Sequence, residues 1–441
     1  MTRTGTALAL FCVLATSAGA QTSKQPGTNP SSASGSKVLT IPEAEAVALR
    51  NNPQITVGKL KALVAAQVVR EARSALMPTA NLSLTAVDSR PGSRIAAGYL
   101  NNPVIYPRAA AGVAVSQLVT DFGRTTNLLS SSLLFAKAED ENAAATRAQV
   151  LLAVDQGFYN VLEAKALEKV ADQTVESRSV LVEKIQALTN AKLKSDLDLS
   201  FSKVEFARAK LLQLQARNDY EAARAGLSAL LGYSDEQDFE PVEDSQTMNP
   251  PAEDAAPLIQ QALQQRPEVI ALQYSVDSAA KFGHAEHDLV RPTVSALGAV
   301  GLAPVRDPHI DNWYGAVGVN VNIPIFNGFL YNARAKAADL VTEADRQKLR
   351  DLRNTIARDV RTTWQETRHA YERLDVTRQF REQADQAMDL AQARYSLGLG
   401  SIVEYTQAEL QKTEAEIADT EAGYRYRVSQ LELAYTVGVP R

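Results

Sequence analysis

The sequence has 441 residues, of which 45% are hydrophobic and 22% are charged, and its formal net charge is -5. This length allows a large core or several units. The mild acidity and the lack of a Lys/Arg block argue against nucleic-acid binding. Aromatic residues make up only 6% of the chain, which favours long helices rich in alanine, leucine and charged residues over a compact globular enzyme.

The first 20 residues have the form of a secretory signal peptide. Arg3 precedes an apolar run over residues 7–15, and small residues at 18–20 predict cleavage before Gln21. The only cysteine, Cys12, lies inside this segment and follows a phenylalanine, where a lipoprotein cleavage site normally has a small residue. We therefore expect a mature chain without a thiol or a lipid anchor, which suits an oxidising compartment.

The mature sequence is one unit written twice. Residues 21–37 are rich in serine, glycine, proline and threonine and predict a flexible leader, followed by repeat 1 at 38–232, a linker at 233–253 and repeat 2 at 254–441. Landmarks recur in the same order in both repeats: Asn52-Pro53-Gln54-Ile55 and Arg266-Pro267-Glu268-Val269, Met77-Pro78-Thr79 and Arg291-Pro292-Thr293, Leu230-Leu231-Gly232 and Thr436-Val437-Gly438.

Each repeat is predicted to contain the same helices. Short helices are predicted at 41–50 and 256–265, proline-initiated helices at 53–75 and 267–289, long runs at 124–189 and 330–396, and return helices at 197–231 and 401–437. Apolar residues of the first long run recur at spacings of three and four, as in coiled coils. A helix of about 66 residues would be on the order of 100 Å long, so the sequence predicts an elongated object.

Four segments alternate between apolar and small polar residues and are predicted as strands. The first segment begins after Pro78, and the other three cover 112–120, 293–302 and 317–323. Their lengths approach the 9–11 residues or so of a tilted membrane-spanning strand, and no stretch of the sequence is apolar enough for a transmembrane helix. A soluble hairpin with one face on a core would show the same alternation. The small uncharged polar face and the loop-like connections at 88–111 and 303–312 favour a barrel.

Four strands cannot close a barrel, and an open sheet edge in lipid would leave backbone groups unpaired. Because the smallest bacterial barrels have about eight strands, closure requires two, three or four chains. The fold class predicted is therefore an α+β membrane protein, with a long coiled-coil helical part and four transmembrane strands per chain.

Several local strings resemble the TolC-type outer-membrane efflux proteins over nearly all of the mature length. They are Leu49-Arg50-Asn51-Asn52-Pro53, Ala75-Leu76-Met77-Pro78, Pro324-Ile325-Phe326-Asn327-Gly328 and Ala393-Arg394-Tyr395-Ser396-Leu397-Gly398-Leu399-Gly400-Ser401. The resemblance implies a homotrimer with a twelve-stranded barrel above an α-helical barrel. It also implies an exit duct for efflux or type I secretion that docks a periplasmic adaptor and an inner-membrane pump (RND, ABC or MFS type).

The resemblance also implies a gate at the periplasmic tips. Tyr395 matches a tyrosine position of the family's closed iris and Asp198 an acidic position, whereas the arginine position falls on Gly400. Glu404 matches the first acidic position of the tunnel constriction, and the second falls on Gln407. A ring of carboxylates would attract cations, but Glu404 is equally compatible with a solvated helix-face charge.

The turns at the tips are the expected adaptor-contact surface. This surface comprises Lys192, Leu193, Lys194, Ser195, Leu397, Gly398, Leu399, Gly400 and Ser401. We also expect Gly398 and Gly400 to supply the positive φ that a sharp helix reversal needs.

No cofactor, metal site or enzymatic activity is predicted. His284 and His287 have a spacing that could hold a metal, but they lack further ligands in the sequence. Asp121-Phe122-Gly123 matches a kinase tripeptide without any accompanying motif, so we expect it to close a strand and open a helix. The alternative function is a periplasmic coiled-coil scaffold or adaptor without a pore. The cargo cannot be read from the sequence.

Overall fold

The computed structural model describes residues 37–88, 90, 108–235, 237, 239–243, 248–304, 309 and 311–439. The predicted signal peptide and nearly all of the predicted leader lie outside these residues. Parts of the linker and of the two strand connections also lie outside them.

Within the described residues, fourteen α-helices and strands follow one another in an order that repeats. The first repeat contains β1 (Lys37–Leu39), α1 (Ile41–Asn51), α2 (Pro53–Ser74), β2 (Thr79–Val87), β3 (Arg108–Thr120), α3 (Arg124–Asn190) and α4 (Asp196–Leu230). The second contains β4 (Phe239–Pro241), α5 (Ala256–Gln265), α6 (Pro267–His287), β5 (Thr293–Leu302), β6 (Trp313–Asn322), α7 (Leu330–Ser396) and α8 (Ile402–Val437). The two chain segments therefore have the same architecture, as the internal duplication predicts.

The recurring landmarks are helix boundaries. Asn52 caps α2 by accepting a hydrogen bond from the Gln54 amide at 2.9 Å, and Pro53 occupies the first turn, where a missing N–H costs little. Gly232 and Gly438 end the two return helices with φ values of 85° and 81°, a left-handed conformation that glycine adopts without strain.

The long helices determine how the other helices are arranged. α3 packs against α2 and α6, and also against α4 and α8, while α7 packs against α6 and α8. Ser131 of α3 meets Ser278 of α6 at 3.0 Å, and farther along α3 Ser177 donates a hydrogen bond to Glu409 of α8 at 3.2 Å. Two shorter helices therefore lie in succession beside each long one, as their lengths predict.

The predicted helices and strands are confirmed, with small shifts at their ends. The proline-initiated helix of repeat 2 ends at His287 and continues as a single 3₁₀ turn, Asp288–Val290. The last strand begins four residues earlier than predicted, at Trp313, and ends at Asn322. None of the helices within the described ranges is both long and apolar enough to cross a bilayer.

A small parallel sheet of β1 and β4 was not predicted. Its strands are three residues each, too short to give a period-two signal, and they pair across about 200 residues of chain. Leu39 and Phe239 of this sheet enter a core with Val154, Phe158 and Leu227. The two repeats are therefore tied together beside the middle of α3.

The other sheet is antiparallel, with the strand order β2-β3-β5-β6. Its register puts Leu82 opposite Val113 and Val113 opposite Val300, on the same face as Val317, Val319 and Val321 of β6. The opposite face carries mainly small and polar residues: Asn81, Ser83, Thr85, Ala114, Ser116, Ser295, Ala299, Asn320 and Asn322. One face is thus suited to lipid and the other to a polar lumen.

Tyr314 lies across glycines on the polar face of the sheet. Its register partner is Gly301 of β5, which in turn faces Gly112 of β3. A Cβ on Gly301 would lie 2.5 Å from the Ala111 carbonyl oxygen and 2.7 Å from Tyr314 Cζ. Glycine at 301 therefore gives the phenol ring its space on this wall.

We predict that Gly301→Ala destabilises the folded sheet by about 1–3 kcal/mol, because the added methyl group forces backbone or ring to move. Gly318→Ala is the matched control, because a Cβ there has no heavy atom within 4 Å. The temperature at which the folded species disappears on semi-native gels should fall for Gly301→Ala alone. Equal temperatures for the two variants would contradict the packing of Tyr314 described here.

Candidate functional site

The end of the molecule farthest from the four-stranded sheet is formed by two helix reversals. In the first, between α3 and α4, Lys192 adopts a φ of 60° and the Leu193 amide donates to the Leu188 carbonyl at 2.8 Å. Ser195 and Asp198 then form a capping box, in which each side chain accepts a hydrogen bond from the other's backbone amide. Asp198 thus lies in the first turn of α4 and is partly exposed.

The second reversal joins α7 to α8. Gly398 has a φ of 75°, as expected, but Gly400 does not adopt a left-handed conformation, so that part of the prediction is wrong. Glycine at this position is explained by crowding instead, because a Cβ on Gly400 would lie 3.3 Å from atoms of Arg394, Tyr395 and Glu404. Gly400 therefore allows a close approach.

Both reversals are exposed and apolar at their tips. Leu193, Leu397 and Leu399 are each at least 70% exposed, and Leu197 at the start of α4 is 64% exposed. Lys192, Ser195 and Ser401 are exposed beside them. The surface predicted for adaptor contact is thus accessible in this chain and combines leucines with basic residues.

Tyr395 lies at the centre of the tip. The Nζ atom of Lys194 is 4.1 Å from the centroid of its ring, and the ring of Tyr405 is 5.4 Å away. Burial and then the nearby Asp198 carboxylate raise the pKa of the Tyr395 hydroxyl. The structure therefore brings together Tyr395 and Asp198, the two candidate gate residues of the iris.

Glu404 is paired within its own chain. Its Oε1 atom accepts a hydrogen bond from Arg394 Nε at 2.9 Å, and its backbone amide donates to Ser401 Oγ at 3.1 Å. Arg394 thus supplies an arginine at the tip although Gly400 occupies the expected position. Gln407 is exposed one turn farther along α8.

A buried layer of charge just above the tip was not predicted. Arg178 of α3 contacts Glu205 of α4 at 2.5 Å, and its Nε atom lies 3.8 Å from Oε2 of Glu409 on α8. All three residues are at most 9% exposed, and Glu205 also accepts from Arg208 at 2.7 Å. Charged residues are common on these helices, so only the three-dimensional structure singles out this cluster.

This layer rests on an apolar layer nearer the tip. Leu181 and Ile185 of α3 pack there with Tyr395 of α7 and with Ile402 and Tyr405 of α8. Burial, with the Glu409 carboxylate next in importance, raises the pKa of Tyr405 to about 12. The phenol therefore stays neutral at physiological pH.

Of the two histidines with a metal-ligand spacing, His287 contacts a carboxylate of α7. Nε2 of His287 is 3.1 Å from Oδ1 of Asp339, which makes a pair rather than a ligand set. In the part of the chain that the structure describes, no group of three or more histidine, cysteine or carboxylate side chains could hold a metal ion.

Asp121-Phe122-Gly123 joins β3 to α3, as expected. Oδ2 of Asp121 accepts from the Thr125 amide at 2.7 Å, and both Phe122 and Gly123 have positive φ.

Comparison with known proteins agrees with this architecture. The profile of the outer membrane efflux protein family matches residues 46–233 and 258–439. Outer membrane protein TolC of Salmonella enteritidis is 22% identical over 409 residues, which are 88% of this chain and 79% of that protein.

Solved structures share the fold. A membrane protein from Pseudomonas aeruginosa has a TM-score of 0.79 at 20% identity, covering 90% of this chain and 93% of its own. The Campylobacter jejuni CmeC outer membrane channel has a TM-score of 0.79 at 18% identity, with coverages of 90% and 85%.

A sheet with one apolar and one polar face, carried on two long helical hairpins, is the fold that this chain shares with these solved structures. The chain belongs to the outer membrane efflux protein family. It is thus an outer-membrane protein whose long helices extend into the periplasm. The family and the structural neighbours are channel proteins rather than enzymes.

Proposed function

We propose that this chain is one subunit of a homotrimeric exit duct in a tripartite efflux or type I secretion system. Three copies would contribute twelve strands to one barrel and their long helices to one periplasmic tunnel. The observation that carries the proposal is the four-stranded sheet, whose two faces differ in polarity and whose outer strands β2 and β6 each leave one edge without a partner strand among the described residues.

The sheet cannot remain open in lipid. Each unpaired N–H or C=O group at an edge raises the free energy by roughly several kcal/mol in hydrocarbon, because no water is present to form a hydrogen bond with it. Val317 is 92% exposed and Val319 69% exposed in the single chain, so the apolar face also has no protein covering. Pairing β6 of one copy with β2 of the next satisfies the edges and leaves the valines facing lipid.

The helices support the same joining of copies. α2 carries an unpacked apolar row, with Val57, Leu60 and Val64 each more than half exposed. Leu211 and Leu214 of α4 continue such a surface toward the tip, while α7 exposes Leu340, Val341, Val376 and Leu390. The edge formed by β2, α2 and α4 therefore differs from the edge formed by β6 and α7. Two different edges that join head to tail generate a ring when the rotation from one copy to the next closes.

The duct is passive, and its gate is the ring of tips. Tyr395 and Asp198 would hold the closed iris, and Glu404 with Gln407 would line the constriction. The exposed leucines and lysines of the two reversals would contact a periplasmic adaptor, which connects the duct to an inner-membrane pump of the RND, ABC or MFS type. The pump supplies the energy and, with the adaptor, much of the cargo selection.

The direct test is conduction. The purified mature protein should partition with outer membranes, require detergent for extraction and produce ion currents when reconstituted into a planar bilayer. A water-soluble protein that never conducts would instead support the periplasmic scaffold and rule out the duct.

We predict that Glu404→Ala lowers the cation-to-anion permeability ratio of the channel by roughly twofold, since exposed charges are screened by salt. The substitution removes a carboxylate, which makes the net charge of the constriction more positive, and it leaves the Arg394 guanidinium without this ion pair. Block by divalent cations should weaken as well.

Glu414→Gln is the matched control, because it removes one charge from an exposed position of the same helix. It should preserve selectivity. If Glu404→Ala behaves like this control, Glu404 is a surface charge and does not line the constriction.

A further inference from the structure

The buried charge layer contains polar atoms that are not satisfied. Within the described chain, Arg178 Nε of α3 and Glu409 Oε2 of α8 are buried and have no hydrogen-bond partner. Tyr395 Oη of α7, in the apolar layer nearer the tip, is a third such atom. Buried polar atoms are nearly always paired, so these atoms require an explanation.

In the charge layer, the contact of Arg178 with Glu205 is closer and better hydrogen-bonded than its contact with Glu409. Arg178 contacts Glu205 at 2.5 Å and also donates to the Glu205 backbone carbonyl at 3.2 Å, so α3 and α4 are joined tightly. By contrast, Arg178 Nε and Glu409 Oε2 are 3.8 Å apart, too far for a hydrogen bond. The Ser177 hydroxyl gives Glu409 its other contact with α3, at 3.2 Å. The α3–α8 joint is therefore the weak one.

We propose that the buried Glu409 carboxylate weakens the contact between α3 and α8, which is then a weak joint. At this joint the α7–α8 hairpin separates from the α3–α4 hairpin when the tip opens. Glu409 is a positioning residue: it acts on the placement of α8, whose first turn carries Glu404. The inference rests on the proposed duct for its consequence in conduction, but the separation of the helices can be measured independently.

The physical reason is the cost of burying a charge with poor compensation. The free energy needed to remove two charges from water can exceed the free energy gained from their attraction. The attraction is sufficient only when the two groups are well oriented and their remaining lone pairs and protons have hydrogen-bond partners. When α8 moves away from α3, water can solvate the Glu409 carboxylate, and Arg178 keeps its bonds to Glu205. The charge on Glu409 therefore lowers the free-energy difference between the joined and separated arrangements.

The electrostatic environment supports this view. Burial raises the pKa of Glu409, and this effect exceeds the opposing influence of Arg178 and Ser177. The joined form therefore binds the proton more tightly than a solvated carboxyl group does. Glu409 stabilises the joined arrangement at pH values below its solvated pKa of 4.5, and this contribution is lost as the pH rises through its raised pKa.

Several titratable or charged groups surround Glu409 on the helices packed against it. They are Arg178 on α3, Glu205 on α4, and Tyr405 and Lys412 on α8. Arg208 of α4 and Asp385 of α7 lie one contact farther away, paired with Glu205 and Lys412, and Tyr395 of α7 lies beside Tyr405. Tyr405 remains neutral over the useful range because its pKa is about 12. A pH effect must therefore be assigned by comparison with a variant that lacks only the Glu409 carboxylate.

The test uses a reporter cysteine in the full-length protein. The mature chain is expected to contain no cysteine, so Ala408→Cys introduces a single thiol in the apolar layer, at a position 7% exposed. Its reaction rate with a maleimide measures how often α8 separates. Adding Glu409→Gln should slow this labelling on the order of fivefold at neutral pH, a usual size for a coupling between two arrangements.

Three further variants give opposite or null expectations. Ser177→Ala removes the hydroxyl that donates to Glu409, so it should speed labelling, and it should have no effect when Glu409→Gln is present. A reporter at the exposed position Gln411→Cys should label at the same rate in all backgrounds. Glu414→Gln should leave the Ala408→Cys rate unchanged.

The pH dependence gives a readout that a purely structural role would not change. Wild-type and Glu409→Gln labelling rates, corrected for thiol ionisation, should converge as the pH falls and the Glu409 carboxyl becomes protonated. In planar bilayers, Glu409→Gln should reduce the open fraction by a similar factor without altering ion selectivity.

The outcomes are distinct. Equal or faster labelling for Glu409→Gln would overturn the weak joint, whatever the protein conducts. Slower labelling in a protein that never conducts would uphold the joint and overturn the duct. A folded Glu409→Gln protein with a lower melting temperature at neutral pH would also contradict the inference, because the carboxylate would then be stabilising the joined form.

Discussion

The structure depends on one constraint: backbone N–H and C=O groups cannot remain unpaired in lipid. The four-stranded sheet satisfies its inner strands β3 and β5 and leaves one edge of β2 and one edge of β6 open. In the proposed duct, other copies of the chain pair these edges, while the apolar face of the sheet lies against lipid. Assembly would then be a requirement of the membrane-spanning part and not an addition to a complete subunit.

The helical part obeys the same geometry. α2 and α4 follow one another along one side of α3, and α6 and α8 occupy the space between α3 and α7. The exposed leucines and valines of α2, α4 and α7 then lie where neighbouring subunits would meet. The internal duplication explains why the two halves of the subunit are built alike, since the same pattern of strands and helical hairpin occurs in each repeat.

Much of this fold was predictable because long, strongly periodic helices and alternating strands leave clear sequence signals. The exceptions involve contacts between distant parts of the chain. Three-residue strands such as Lys37–Leu39 acquire their structure from tertiary pairing, and Gly400 is needed for close approach rather than for its φ. The cluster around Arg178 was unpredictable for the same reason, because its carboxylates come from two other helices. The sequence also could not show that Arg394 pairs with Glu404.

The central claim is that the chain is complete only as a ring of three. Native mass spectrometry of the mature protein, extracted from outer membranes in mild detergent, measures the number of chains in the assembly directly. The account predicts a single dominant species of three chains, which supplies the twelve strands that close one barrel. A stable single chain inserted in the membrane fraction would contradict it, because the edges of β2 and β6 would then lie unpaired in lipid.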